Sequence, residues 1–239
     1  MAYQQIFRRI EKKYLLDQNT YQLLMDSLQD FVMPDKYPKS SIRNIYYDTN
    51  DHRLIRTSLD KPVYKEKFRV RCYGDVDESS SVFVELKKKY KGVVYKRRVG
   101  MTLKESNEFI HNSKVLGKDL QIESEILYFL KYYNLAPAMS ISYDRLSFCG
   151  KDDKELRITF DTNIIYRDKD LMLEKGVGGK QLLDTGQYVM EIKIPYSMPL
   201  WLAEILDNLK IYPTSFSKYG KAYLQTFYDI KKEKVEYYV

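Results

Sequence analysis

The sequence predicts an α+β fold: an antiparallel sheet with peripheral helices, curled into a β-barrel around a polar bore. Three observations carry this. Eight segments alternate polar and apolar residues with period two, the pattern of strands whose faces meet different surroundings (7–15, 42–47, 63–73, 82–89, 93–99, 139–148, 156–161 and 188–194). Five stretches among them carry helical spacing (20–32, 103–112, 123–133, 200–209 and 218–230). The strand faces opposite the apolar ones are basic rather than mixed.

In chain order, the first strand sets Arg9, Glu11 and Lys13 on one face, with Ile10 and Tyr14 behind. Asn19 caps the helix that follows, and turns are expected at Pro34 and Pro38. In 63–73 one face carries Lys65, Lys67, Arg69, Arg71 and Tyr73; the other carries Glu66, Phe68, Val70 and Cys72. In 82–89, Glu85, Lys87 and Lys89 lie opposite Val82, Val84 and Leu86. Lys96 and Arg98 align in the next hairpin arm, and Thr102 with Glu105 forms a capping box at the helix after it. Arg157, Thr159 and Asp161 share a face later on, as do Glu191 and Lys193. Further turns fall at Pro62, Gly74, Gly92, Pro137 and Gly150. No linker, repeat or low-complexity tract interrupts the chain, so residues 1–239 are expected to form one domain.

A hydrophobic fraction of 44% supports a sizeable core and excludes wholesale disorder. Forty basic against 33 acidic residues leave an excess of seven, which suggests an anionic partner without naming it. Repeated Arg and Lys on one strand face repel across the sheet. Such an array makes sense when a polyanion neutralises it, and closing the sheet would turn those faces toward a ligand-sized lumen. The alternative is the solvated face of an ordinary sandwich, which suits any one strand better than six together. Cys72 and Cys149 are too few for a disulfide framework and read as free thiols. The charged start lacks a signal peptide's apolar stretch, and no run reaches the ~18 apolar residues of a membrane helix. A soluble, cytoplasmic protein is expected.

The segments EKKYLL (11–16), NIYYDT (44–49), FRVRCYG (68–74), VFVELKKK (82–89), YKRRV (95–99), SYDR (142–145), LRITFDT (156–162), VMEIKIP (189–195) and FSKYGKAY (216–223) occur in this order over nearly the whole chain. As an ordered set they resemble the VTC-type polyphosphate polymerase domain, a branch of the triphosphate tunnel metalloenzymes related to CYTH triphosphatases. The resemblance implies an eight-stranded antiparallel tunnel lined by Lys and Arg. It also implies transfer of the γ-phosphate of ATP onto a growing polyphosphate, with a divalent metal, Mn²⁺ or Mg²⁺. Carried over by position, the phosphate-binding set is Lys13, Arg69, Arg71, Lys87, Lys96, Arg98, Arg145, Arg157 and Lys218. Tyr143, Lys193 and Ser217 stand beside it, and Glu191 matches the metal-binding glutamate.

These residue types suit phosphoryl transfer, which asks for positioning and neutralised oxygens and needs no protein nucleophile. One departure stands out: CYTH triphosphatases open with ExExK, and here Arg9 replaces the first acid. That loss weakens the case for a second metal and favours transfer over hydrolysis. Glu11 and Glu85 stay on the inferred inner face, where each either ligates a metal or pairs with a cation. A tunnel-type triphosphatase and a non-catalytic polyphosphate-binding module are the competing functions. Nucleic acid is not expected, because aromatics are not interleaved with the basic groups; a membrane partner remains open. Gly176–Lys180 lacks the spacing of a phosphate loop and reads as a mobile loop. His52 and His111 have no metal-ligand spacing, and Trp201 fits a helix core.

Overall fold

The computed structural model describes residues 6–7, 10–91 and 93–228. Its strands are β1 (Ile6–Phe7), β2 (Ile10–Leu16), β3 (Val32–Asp48), β4 (Tyr64–Tyr73), β5 (Ser81–Tyr90), β6 (Val93–Thr102), β7 (Ala136–Gly150), β8 (Arg157–Arg167), β9 (Lys180–Gln181) and β10 (Tyr188–Ile194). Its helices are α1 (Gln18–Leu28), α2 (Arg53–Leu59), α3 (Leu103–Asn112), α4 (Leu120–Tyr133), α5 (Leu200–Asn208) and α6 (Lys218–Phe227).

The strands form one sheet in the order β1-β6-β5-β4-β3-β7-β8-β10-β2, with β9 appended to β8, and each recorded pairing is antiparallel. The α+β expectation holds. The ladder is an open path, however: among the described residues no pairing joins its ends, where the expected barrel would close. The sheet is nonetheless strongly curled. Lys87 on β5, third along the path, reaches Glu11 on β2, the last strand, at 3.0 Å.

Alternation within each strand sorts the residues as expected. Phe68, Val70, Val84, Leu86 and Val99 pack outward against Phe109 of α3 and Ile126 and Phe129 of α4. On the other flank Tyr14, Ile158, Phe160, Met190 and Ile192 pack against Leu24 and Leu28 of α1 and Leu202 and Leu206 of α5. The helices thus cover the apolar face and leave the polar face turned inward. Cys72 and Cys149 are buried and free.

Several local expectations need correction. The turns at Pro34 and Pro38 and the strand 42–47 are all one long strand, β3. Its ladder with β7 is irregular between Pro34 and Lys39, so prolines that cannot donate fall where no regular bond is required. Pro137 likewise lies inside β7, beside a second irregularity at Tyr46/Tyr47. The first helix is capped by Asp17, not Asn19: its carboxylate accepts from Thr20 N–H at 2.7 Å, and the helix ends at Leu28. Helix α2 has no periodic signal; Asp48 holds it by accepting from the N–H groups of Leu54 (2.8 Å) and Ile55 (3.0 Å). The capping box at Thr102 forms with both hydrogen bonds. At the loop around Gly176, Arg167 donates to the carbonyls of Gly176 (2.8 Å) and Met172 (3.0 Å), and β9 follows. Arg9, Gly92 and the end of the predicted last helix lie outside the described residues.

Candidate functional site

The inward faces of β2, β3, β4, β5, β6, β7, β8 and β10, with the start of α6, line a cavity of about 380 Å³. Every residue of the expected site lines it: Lys13, Arg69, Arg71, Lys87, Lys96, Arg98, Arg145, Arg157 and Lys218; Tyr143, Lys193 and Ser217; Glu11, Glu85 and Glu191. Lys67, Tyr46, Val94 and Tyr219 line it as well. Lys67 had a usable signal, since it shares its strand face with Arg69 and Arg71. Tyr219 had none, because its place depends on how α6 docks.

Charge is the dominant property. Eleven cations face three carboxylates in the lining, an excess of eight. The whole chain, with 40 basic and 33 acidic residues, has an excess of seven, so the remainder carries one net negative charge. The protein's positive charge is therefore gathered in this cavity.

Register explains the arrangement. Lys67, Lys87 and Lys96 form one row across β4, β5 and β6, and Arg69, Glu85 and Arg98 form the next. Glu85 is the hub: Arg69 Nη2 lies 2.7 Å and Lys96 Nζ 2.6 Å from its oxygens, and Arg98 Nε 3.3 Å. Burial alone would raise its carboxyl, but Arg69, Arg71 and Lys96 outweigh that and hold it well below the usual carboxylate range. The Arg98 guanidinium also lies 3.4 Å over the Phe83 ring.

Arg71 has no carboxylate of its own. Its Nε donates to Asn44 Oδ1 at 2.8 Å and its Nη2 to the Tyr143 hydroxyl at 3.0 Å. Burial pushes that phenol up, yet Arg71 and Arg145 overcome it and draw it down. Behind the lining, fully buried Asp161 grips Arg145 bidentately (2.6 and 2.8 Å) and accepts from Lys218. Asp161 escaped the expected site, although its shared face with Arg157 and Thr159 was visible. Arg157 pairs with Asp35.

Among the described residues Lys67 is the lining lysine with no carboxylate partner. Lys67 Nζ donates to Ser217 Oγ at 2.9 Å, and that oxygen also caps α6 by accepting from Gly220 N–H. Burial, then the nearby charges of Lys13, Lys65, Lys87 and Arg69, push Lys67 down to about 7. Burial likewise takes Lys96 to about 8 despite Glu85. Lys13 donates to the Phe216 carbonyl at 2.9 Å, and burial lowers it too. An entering anion would relieve these shifts.

Glu11 pairs with Lys87 and Glu85 with three cations. Glu191 is held less closely, with Lys193 Nζ at 3.2 Å and Lys13 Nζ at 4.0 Å. No group of three or more His, Cys, Asp or Glu able to hold a metal occurs among the described residues. The donor set suits a hard cation that takes one protein carboxylate and completes its shell with phosphate oxygens and water.

Sequence comparison settles the family, because residues 8–227 match the VTC domain. The chain belongs to the VTC domain family. The vacuolar transporter chaperone complex subunit 4 of Trypanosoma cruzi is 24% identical over 154 residues, which cover 52% of this chain and 19% of that protein. The VTC domain described here therefore corresponds to a small part of that longer relative. A provisionally assigned adenylate cyclase of Bacillus halodurans superposes with a TM-score of 0.57 at 15% identity, over 94% of this chain and 99% of that one. At such identity the likeness speaks for the fold alone.

Proposed function

We propose that this VTC domain is a polyphosphate polymerase, moving the γ-phosphate of ATP onto the end of a polyphosphate held in the cavity, with the sheet closed around the chain as a tunnel. The carrying observation is the formal excess of eight positive charges in one cavity lining. Gathering so many half-buried like charges costs folding free energy that a densely charged anion filling the space would offset.

Arg69, Arg98 and Arg145, each fixed by a buried carboxylate, present guanidinium forks in set directions and orient phosphate oxygens. Arg71, tied only to neutral partners, keeps its full charge for the transferring group. Lys13, Lys67, Lys87 and Lys96 act as adjustable point charges. The terminal oxygen of the acceptor chain attacks the γ-phosphorus in line; the new P–O bond forms as the bond to ADP breaks. Glu191 would hold a divalent cation, Mn²⁺ or Mg²⁺, which neutralises charge on the phosphate oxygens when bound. The T. cruzi relative is named as a subunit of a complex, and by analogy partner subunits, a membrane protein among them, would take up the product. No described helix is long and apolar enough to cross a membrane.

One observation favours a second reading, a tunnel-type triphosphatase. Glu11 lies close enough to Glu191 for its titration to feel that charge, so two carboxylates share one side of the cavity. The deciding experiment incubates the protein with ATP and Mn²⁺ or Mg²⁺ and resolves products by chain length. Long polyphosphate is expected. Phosphate release from tripolyphosphate without chain growth selects the triphosphatase, and the absence of both with every metal and primer removes the enzyme.

A further inference from the structure

Next to the central cavity lies a second one of about 520 Å³, sharing Glu11, Lys13, Lys67, Lys87 and Ser217 with it. It is the mouth at which the inner rows of β4 and β5 run out: beyond Lys67 and Lys87 come Lys65 and Lys89, directly opposite each other in register. Lys61, after α2, and Lys221 on α6 complete it. Seven lysines line this mouth against one carboxylate, and none of the lining residues is an arginine.

Size alone does not explain that composition. A larger cavity of about 680 Å³ beside β3, β7 and β8 is lined by two cations and two carboxylates, Lys39 and Arg145 with Asp144 and Asp184. Like charges opposite each other destabilise a bare sheet. The ion pairs of the described residues nevertheless include none to Lys61, Lys65, Lys89 or Lys221. Burial and the charges of Lys89, Lys87 and Lys61 together lower Lys65.

The residue type also matters. Arginine forks fix a phosphate in one geometry, which suits the reacting groups. Lysine is a mobile point charge on a flexible stem and donates to phosphate oxygens at many offsets. A surface whose cations are all lysines favours a repeating anion whose identical units slide past.

We propose that this lysine-lined mouth is a second subsite, binding the distal units of long polyphosphate and marking the end through which the polymer extends. The inference rests on the reading of the central cavity as a phosphate site. In this arrangement the arginine-rich interior holds the reacting end of the chain and the mouth adds affinity only to chains long enough to reach it. Tripolyphosphate, seated inside, would not sense it.

The test compares tripolyphosphate with long-chain polyphosphate by titration calorimetry, on the full chain and on a triple variant carrying Lys65→Ala, Lys89→Ala and Lys221→Ala. The variant is expected to bind the long chain about tenfold more weakly. Its tripolyphosphate affinity should stay unchanged, its salt dependence for the long chain should become shallower, and its melting temperature should hold or rise as repulsion is relieved. Unchanged long-chain affinity, or an equal loss for both ligands, overturns the subsite while leaving the central site standing. Failure of the unaltered protein to bind tripolyphosphate overturns both. If single-stranded RNA binds as tightly as long polyphosphate and is lost in the same variant, the mouth is a nucleic-acid surface instead.

Discussion

Glu85 and Glu191 face the same cavity, and both are carboxylates set among cations, yet their surroundings differ in kind. Glu85 has a side chain only 2% exposed, closed off by Arg69, Lys96 and Arg98. Glu191, at 12%, meets two lysines at 3.2 and 4.0 Å. Burial works against both charges and neighbouring cations outweigh it at both, so both stay ionised. The saturated acid is a keystone that holds three cations together. The looser one has oxygens to spare for an incoming ion. Similar electrostatics thus serve architecture at Glu85 and, in the function proposed above, metal binding at Glu191.

The sharpest way to break this comparison is Glu85→Gln. Removing one partner of a buried ion pair costs 3–5 kcal/mol in general. The cations here are about a quarter exposed, so about 3 kcal/mol is expected, read as a fall in the denaturation midpoint. Added tripolyphosphate should restore much of it by taking the carboxylate's place. A stability loss no larger than that of a surface substitution would show that Glu85 is no keystone.

Glu191→Gln should lower the midpoint less than Glu85→Gln, because its two lysines stand farther off, while weakening the response to metal. The Mn²⁺ concentration for half-maximal activity should rise by more than the roughly tenfold that losses outside the first coordination shell cost. An unaltered metal titration would remove Glu191 from the metal site.

The smallest effect is in pH. Lys67 has a folded value near 7, below its ordinary 10.5, so between those values the unfolded chain holds a proton that the folded protein has released. Stability of the unliganded protein should therefore rise with pH from about 7 toward about 10, and Lys96 adds in the same direction. Lys67→Met should flatten that rise, and ligand binding near pH 8 should take up protons, measurable in buffers of differing ionisation enthalpy. A melting temperature that falls over this window would contradict the assigned burial of Lys67.

The parts of this site legible in the sequence are those that parity along a strand decides. Arg69 and Arg71 could be placed with Lys67 because side chains two apart share a face, and the family resemblance added the residues of distant strands. What needed coordinates was pairing across distance. Asp161 binds Lys218, 57 residues away, and Lys67 meets Ser217, 150 away; no local pattern encodes either. The same holds for secondary structure. Strand β3 persists through two prolines because β7, a hundred residues later, supplies its partners, and α2 forms because buried Asp48 also holds Tyr219 of α6. Curvature is read from Lys87 meeting Glu11, not from any one strand.

The two margins of the sheet are guarded by neighbouring stretches of backbone, β1 along β6 and β2 along β10. A single trimming event that removed residues up to Leu16 would strip both margins together, baring unsatisfied amide and carbonyl groups on two strands at once. The trimmed protein would be sticky at both flanks. Self-association into extended ladders, rather than simple loss of catalysis, would be its signature.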